Sequence, residues 1–135
     1  KISVKNTGNI PMAVRASYTE KWVSASGKEL NLKDIDNNQV SIINFGKNWT
    51  KSNDGYYYYG SKENKTVLEP TSISTSFINS VKFNEKVNAS LKESVSEDGK
   101  TITYTSTGDG YDNATYILIV KIETVQHDAA NSFWK

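Results

Sequence analysis

The sequence has no cysteine, a single histidine and no long apolar run, and each shortage narrows the chemistry open to the protein. Without cysteine, disulfides, thiolate catalysis and cysteine-ligated zinc are excluded. The longest apolar run, residues 116–120, is far shorter than the ~20 residues that a transmembrane helix needs, so membrane insertion is not expected. Charge is balanced as well: 16 basic and 15 acidic residues give a formal net charge of +1, which offers no reason to expect nucleic acid as a partner.

Motifs for catalysis and metal binding are also missing. His127 and Asp128 are adjacent, so on a strand they point to opposite faces, and no Gly-x-Ser-x-Gly motif accompanies them. Residues 34–38 open like an EF-hand calcium loop, but Gln39 and Phe45 occupy the positions that need glycine and glutamate. We interpret this segment and residues 109–113 as solvated turns, with an irregular calcium site at a sandwich end as the alternative. The sequence predicts no enzyme, no cofactor site and no metal site.

Short alternating segments between clusters of turn residues predict an all-β fold. Residues 1–5, 10–18, 40–45, 71–77, 101–105 and 115–126 are predicted strands, and residues 24–38 a long loop with one helical turn. Residues 87–95 fit a helix or a strand, and the tight turn at residues 97–100 favours a hairpin. We predict one domain over residues 1–135: an antiparallel two-sheet sandwich, jelly-roll-like, with short helical segments in loops and at the C-terminus.

Residues 49–70 hold four consecutive tyrosines after an Asn-Asp-Gly turn. Alternation along a strand sends Tyr56 and Tyr58 to one face and Tyr57 and Tyr59 to the other. One pair is expected to fill the core while the other lies on the surface. Tyr57 and Tyr59 are the predicted surface pair, available to contact a neighbouring subunit or a ligand.

Aromatic side chains also raise the alternative of a carbohydrate-binding or adhesin module. Trp22, Trp49, Trp134 and the surface tyrosines offer rings that stack on sugars, although core packing explains the same residues. The Asn-x-Ser/Thr sites at Asn48, Asn64, Asn88 and Asn113 are expected by chance in a chain rich in these residues.

Lysine–asparagine isopeptide bonds, which replace disulfides in some extracellular sandwiches, are a further hypothesis. Such a bond joins a core lysine to an asparagine beside a carboxylic acid. Lys121, within the last predicted strand, and Lys82 are the candidates.

Four segments, in order and spacing, resemble the TasA/camelysin-like biofilm-matrix proteins of Gram-positive bacteria, the clostridial BsaA-type branch in particular. They are residues 4–11 with Val14-Arg15, residues 49–59, residues 68–71 leading to Phe77, and residues 122–126 with the tail at 130–134.

The resemblance implies a secreted jelly-roll sandwich that assembles with itself into extracellular fibres, alongside other matrix components. In TasA-like fibres an N-terminal strand of one subunit completes a sheet of the next. This chain begins close to the turn that follows residue 5, so we expect much of such a donor segment to be missing. No residue here supports the metallopeptidase activity described for camelysin-like members.

Overall fold

The protein is all-β, as predicted. The computed structural model describes residues 1–33, 37–84, 92–105 and 113–135. Strands make up 50% of the chain and helix 6%, and the strands form two antiparallel sheets consistent with a sandwich. The helical segments of the described residues follow the last strand, so the helical turns expected in loops are not found there.

The described residues form nine strands, a 3₁₀ turn and one short helix. They are β1 Met12–Val23, β2 Glu29–Leu30, β3 Ser41–Phe45, β4 Trp49–Lys51, β5 Tyr57–Tyr59, β6 Ile78–Phe83, β7 Lys92–Val95, β8 Thr101–Thr105 and β9 Thr115–Gln126, followed by the 3₁₀ turn His127–Ala129 and α1 Ala130–Phe133. The larger sheet has the order β4-β5-β1-β9-β8-β7, with β2 paired to β1, and the smaller sheet pairs β3 with β6.

Local predictions succeeded where the pairing partner is near in sequence. The hairpin expected at residues 97–100 is confirmed, because β7 pairs with β8 in a register that places Val95 opposite Ile102. Residues 24–38 are not wholly loop, since β2 pairs with the end of β1. Residues 71–77 form no regular strand, and only Ile73 makes an isolated bridge, to Lys5.

The chain packs as two compact units. The first comprises Lys1–Ser17, Phe45–Asn79 and Lys121–Lys135, and the second Tyr18–Asn44 and Ser80–Val120. The single domain over residues 1–135 stays a prediction.

An aromatic cluster fills the core of the first unit. Tyr57 stacks on Phe45 with ring centroids 4.6 Å apart, and Trp49 lies 5.0 Å from Phe77. The indole Nε1 of Trp49 donates to the backbone oxygen of Thr75 at 3.1 Å, so its one polar atom is satisfied inside the core. Rings in these geometries add stability beyond the area they bury.

The second unit has its own aromatic cluster, built on Trp22. Its ring lies 5.5 Å from Phe83 and 5.2 Å from Tyr116, and Phe83 also contacts Tyr104. The Tyr116 hydroxyl donates to Glu20 Oε2 at 2.5 Å. Burial and this bond raise the pKa of Tyr116, so its hydroxyl stays protonated and serves packing.

Candidate functional site

The amino-terminal segment (residues 1–6) lies antiparallel to residues 68–78, which we call the receiving segment. Both belong to the first unit. The backbone bonds that join them are Phe77 N–H to Ile2 O at 2.6 Å, Ile2 N–H to Ile78 O at 3.2 Å, Ser74 N–H to Val4 O at 2.8 Å, Asn6 N–H to Ser72 O at 3.0 Å and Thr71 N–H to Asn6 O at 2.8 Å. A short stretch is thus held along its length by residues about 70 positions away in the chain.

Serine hydroxyls share in this pairing. Ser74 Oγ accepts from Val4 N–H at 2.9 Å and Ser76 Oγ accepts from Ile2 N–H at 3.2 Å. The pairing consists of two isolated bridges, Ile2 to Ile78 and Lys5 to Ile73, rather than a continuous ladder. The expected alternation is confirmed, since Ile2 is buried and Val4 half-buried while Lys1, Ser3 and Lys5 are exposed.

The other edge of the amino-terminal segment is open in the described part of the structure. There the backbone groups of Ser3 and Lys5 make no hydrogen bond to another backbone group. A shallow groove of about 280 Å³ lies beside the turn that follows this segment, lined by residues of the turn from Asn6 to Ile10 and by Met12, Thr124, Val125 and Gln126. Ile10 remains 48% exposed beside it. Unpaired strand edges of this kind can receive a further strand.

Asn6 closes the turn that connects the amino-terminal segment to β1. Its fully buried side chain donates from Nδ2 to Ile10 O at 2.8 Å and to Leu68 O at 2.9 Å. Its Oδ1 accepts from Gly8 N–H at 2.9 Å. The sequence marks these residues as a turn, but it does not reveal that one amide ties the turn to the receiving segment.

The predicted surface position of Tyr57 and Tyr59 is wrong. Both are buried, at 9% and 8% exposure, and Tyr58 between them is buried as well. The reason is that other side chains of the first unit cover both faces of β5. Tyr57 packs on Phe77, and Tyr58 on Trp134. These side chains are therefore core residues.

The tryptophans expected to stack on sugars are buried too. Trp22, Trp49 and Trp134 all belong to the core. Among the described residues, Phe133 is the aromatic side chain with large exposure. An exposed aromatic platform, which the carbohydrate-binding alternative would use, is not formed by the rings proposed for it.

Neither isopeptide candidate lies in a core. Lys82 is exposed, and the Lys121 side chain is 67% exposed and pairs with Glu123 at 3.5 Å. The expected core position of these lysines is wrong. Lys65 Nζ contacts Asn131 Oδ1 at 2.8 Å, and that contact lies at the surface.

The remaining candidates provide no assembled chemical site. His127 Nε2 lies 3.2 Å from the backbone oxygen of Lys65, a contact that holds the C-terminal turn. No three metal-ligating side chains come together among the described residues, and none of the helices there is long and apolar enough to cross a membrane. The calcium hypothesis depended largely on residues 34–36 and 109–112, which lie outside the described residues. Asn88, one of the Asn-x-Ser/Thr sites, lies outside them as well.

A charged network fastens the C-terminal helix to the sheet of the first unit. The Arg15 guanidinium lies over the rings of Tyr56 and Trp134, 3.9 and 4.5 Å from their centroids. Its Nε pairs with Glu123 Oε2 at 2.7 Å. The helix is a single short turn that would not persist alone, so these contacts decide its position.

Asp54 extends this network and makes the free energy of unfolding depend on pH in the acidic range. Burial opposes the ionisation of Asp54. The carboxylate is stabilised by hydrogen bonds from the Tyr58 hydroxyl and the Tyr56 N–H and by the Lys62 ammonium. Because these interactions outweigh burial, the pKa of Asp54 lies below its ordinary value. A lowered folded-state pKa gives stability that is present above the unfolded pKa and is lost as pH falls through the folded one.

We therefore expect the free energy of unfolding to decline as pH falls from neutral through the ordinary carboxyl pKa of about 4 and below it, and Asp54→Asn to flatten that decline. Urea unfolding across this range measures both. Asp128→Asn, at an exposed position, is the control. Identical pH profiles for Asp54→Asn and the parent protein would contradict the assignment.

Comparison with protein families, with curated proteins and with solved structures finds no match to this chain.

Proposed function

We propose that the protein is a structural, non-enzymatic subunit of an extracellular biofilm-matrix fibre, secreted and assembled from copies of itself by strand donation. The observation that carries the proposal is the pairing of residues 1–6 with residues 68–78. A strand joined to its partner only by edge hydrogen bonds and two buried side chains, those of Ile2 and Asn6, can make the same contacts with another copy of the chain. The donated strand in this proposal is the amino-terminal segment itself.

Sheet geometry supports open-ended growth from such an exchange. A strand passed from one copy to the next is a head-to-tail contact, and head-to-tail contacts that do not close generate filaments. Specificity comes from Ile2, whose side chain is the buried anchor of the segment, and from the serine hydroxyls that fix the register. The resemblance to biofilm-matrix proteins adds the extracellular setting and the other matrix components as partners.

Electron microscopy of the full mature protein tests the proposal. We expect filaments, and we expect Ile2→Glu to abolish them, because a carboxylate cannot occupy the buried Ile2 site without a large desolvation cost. Ser3→Glu, at the adjacent exposed position, is the matched control and should leave filaments intact.

Two outcomes would count against the proposal. A mature protein that stays monomeric under all conditions would exclude fibre formation. Filaments formed equally well by Ile2→Glu would exclude donation of this segment. Circular dichroism of each variant confirms that loss of filaments is not loss of folding.

A further inference from the structure

The bonds of Asn6 fall into two sets with different consequences for exchange. Two of them, Gly8 N–H to Oδ1 and Nδ2 to Ile10 O, lie within the turn at residues 6–10. The third, Nδ2 to Leu68 O, reaches the receiving segment, as do the backbone N–H and C=O of Asn6. The second set can form with the receiving segment of any copy. The first set forms only when the turn is closed.

We propose that this turn is a switch: closed, it keeps the amino-terminal segment on its own chain, and opened, it passes the segment to the receiving segment of a second copy. This inference rests on the proposed function, because it concerns the same segment. In both states the amino-terminal segment pairs with the receiving segment, either of its own copy or of a second copy. The contacts between the two segments are the ones that the structure shows within a single copy.

The balance between the two states is set by the turn and by protein concentration. The amino-terminal segment and the receiving segment make identical hydrogen bonds in both states, so those bonds cancel from the free-energy difference between the states. What distinguishes the closed state is the turn itself, and what opposes exchange is the loss of freedom when two copies associate. Pro11 restricts Ile10 to extended backbone, which limits the freedom that an opened turn gains.

Gly8 offers a variant that opens the turn without touching the receiving segment. Gly8→Pro removes the N–H that donates to Asn6 Oδ1 and drives Thr7 towards extended backbone. Gly8→Ala keeps the N–H, and its added methyl group meets nothing closer than Asn6 Oδ1 at 3.4 Å. The pair separates loss of the hydrogen bond from the mere addition of a side chain.

Light scattering on size-fractionated full-length protein gives the first measurement. At one concentration, we expect Gly8→Pro to raise the ratio of associated to monomeric protein about tenfold, the effect of losing one good hydrogen bond from the closed state. Gly8→Ala should match the parent protein. A Gly8→Pro protein that is folded and wholly monomeric would overturn the switch.

Disulfide trapping identifies the exchanged segment, because the chain has no cysteine of its own. Lys5 and Ile73 form an isolated antiparallel bridge and are both exposed. In the Gly8→Pro background, single variants Lys5→Cys and Ile73→Cys are mixed, incubated and oxidised. Exchange predicts disulfide-linked heterodimers, and their absence from the associated fraction would overturn the inference.

The failures of the two proposals can be told apart. Filaments of the mature protein without the Lys5→Cys to Ile73→Cys link would refute the switch and leave the fibre function standing. Heterodimers linked in this way, with no filaments of the mature protein, would support the switch and refute the fibre function.

Discussion

Gly46→Ala is expected to remove ~4 kcal/mol or more of the free energy of unfolding, an exceptional loss for one methyl group. A Cβ at this position would lie 1.6 Å from the backbone oxygen of Ser76 and 2.7 Å from its carbonyl carbon. Gly46 also donates its N–H to Phe77 O at 2.9 Å, so the two backbones are fixed against each other. A clash with backbone cannot be relieved by rotating a side chain.

Urea unfolding of Gly46→Ala and Gly55→Ala separates close packing from backbone strain. Gly55 has φ +88° but no atom within 4 Å of an added Cβ, so its replacement carries only the conformational penalty, about 1 kcal/mol. Equal losses for the two variants would show that the approach of Ser76 to Gly46 is not what requires glycine.

Asn6→Asp should lower the free energy of unfolding by about 3 kcal/mol at neutral pH, because a buried carboxylate would face two carbonyl oxygens that the amide now donates to. Ile10 O and Leu68 O are those acceptors. Asn9→Asp makes the same chemical change at an exposed position of the same loop and should stay within about 0.5 kcal/mol of the parent protein.

The sign of the pH dependence gives a second readout for Asn6→Asp. Burial among carbonyl groups raises the folded-state pKa of the new carboxyl group above its unfolded value. The stability of the variant relative to the parent is therefore highest below the unfolded pKa, about 4, and declines as pH rises through the folded pKa. A stability difference independent of pH would show that the carboxylate does not face these carbonyls.

The sequence predicts individual strands and turns better than it predicts which distant segments pair with each other. The β7–β8 hairpin followed from a turn motif between two strands, which is information contained in a few adjacent residues. The strand character of residues 1–5 was also visible, through the alternation of Ile2 and Val4. Its partner was not, because pairing across some 70 residues depends on the whole chain.

The error over the tyrosines has the same origin. Alternation assigns side chains to two faces but does not say whether each face meets solvent or another layer. Phe77 covers one face of β5 and Trp134 the other, so Tyr57 and Tyr59 join the core. The isopeptide candidates failed similarly, since Lys121 lies in β9 but projects from its exposed side.

The distribution of tryptophan gives each compact unit an optical reporter of its own. Trp49 and Trp134 belong to the first unit, and Trp22 is the tryptophan of the second. All three are buried, so their fluorescence changes when the surrounding structure opens. With Trp49 and Trp134 replaced by phenylalanine, emission follows the second unit alone, and whether the two units unfold together becomes a spectroscopic question.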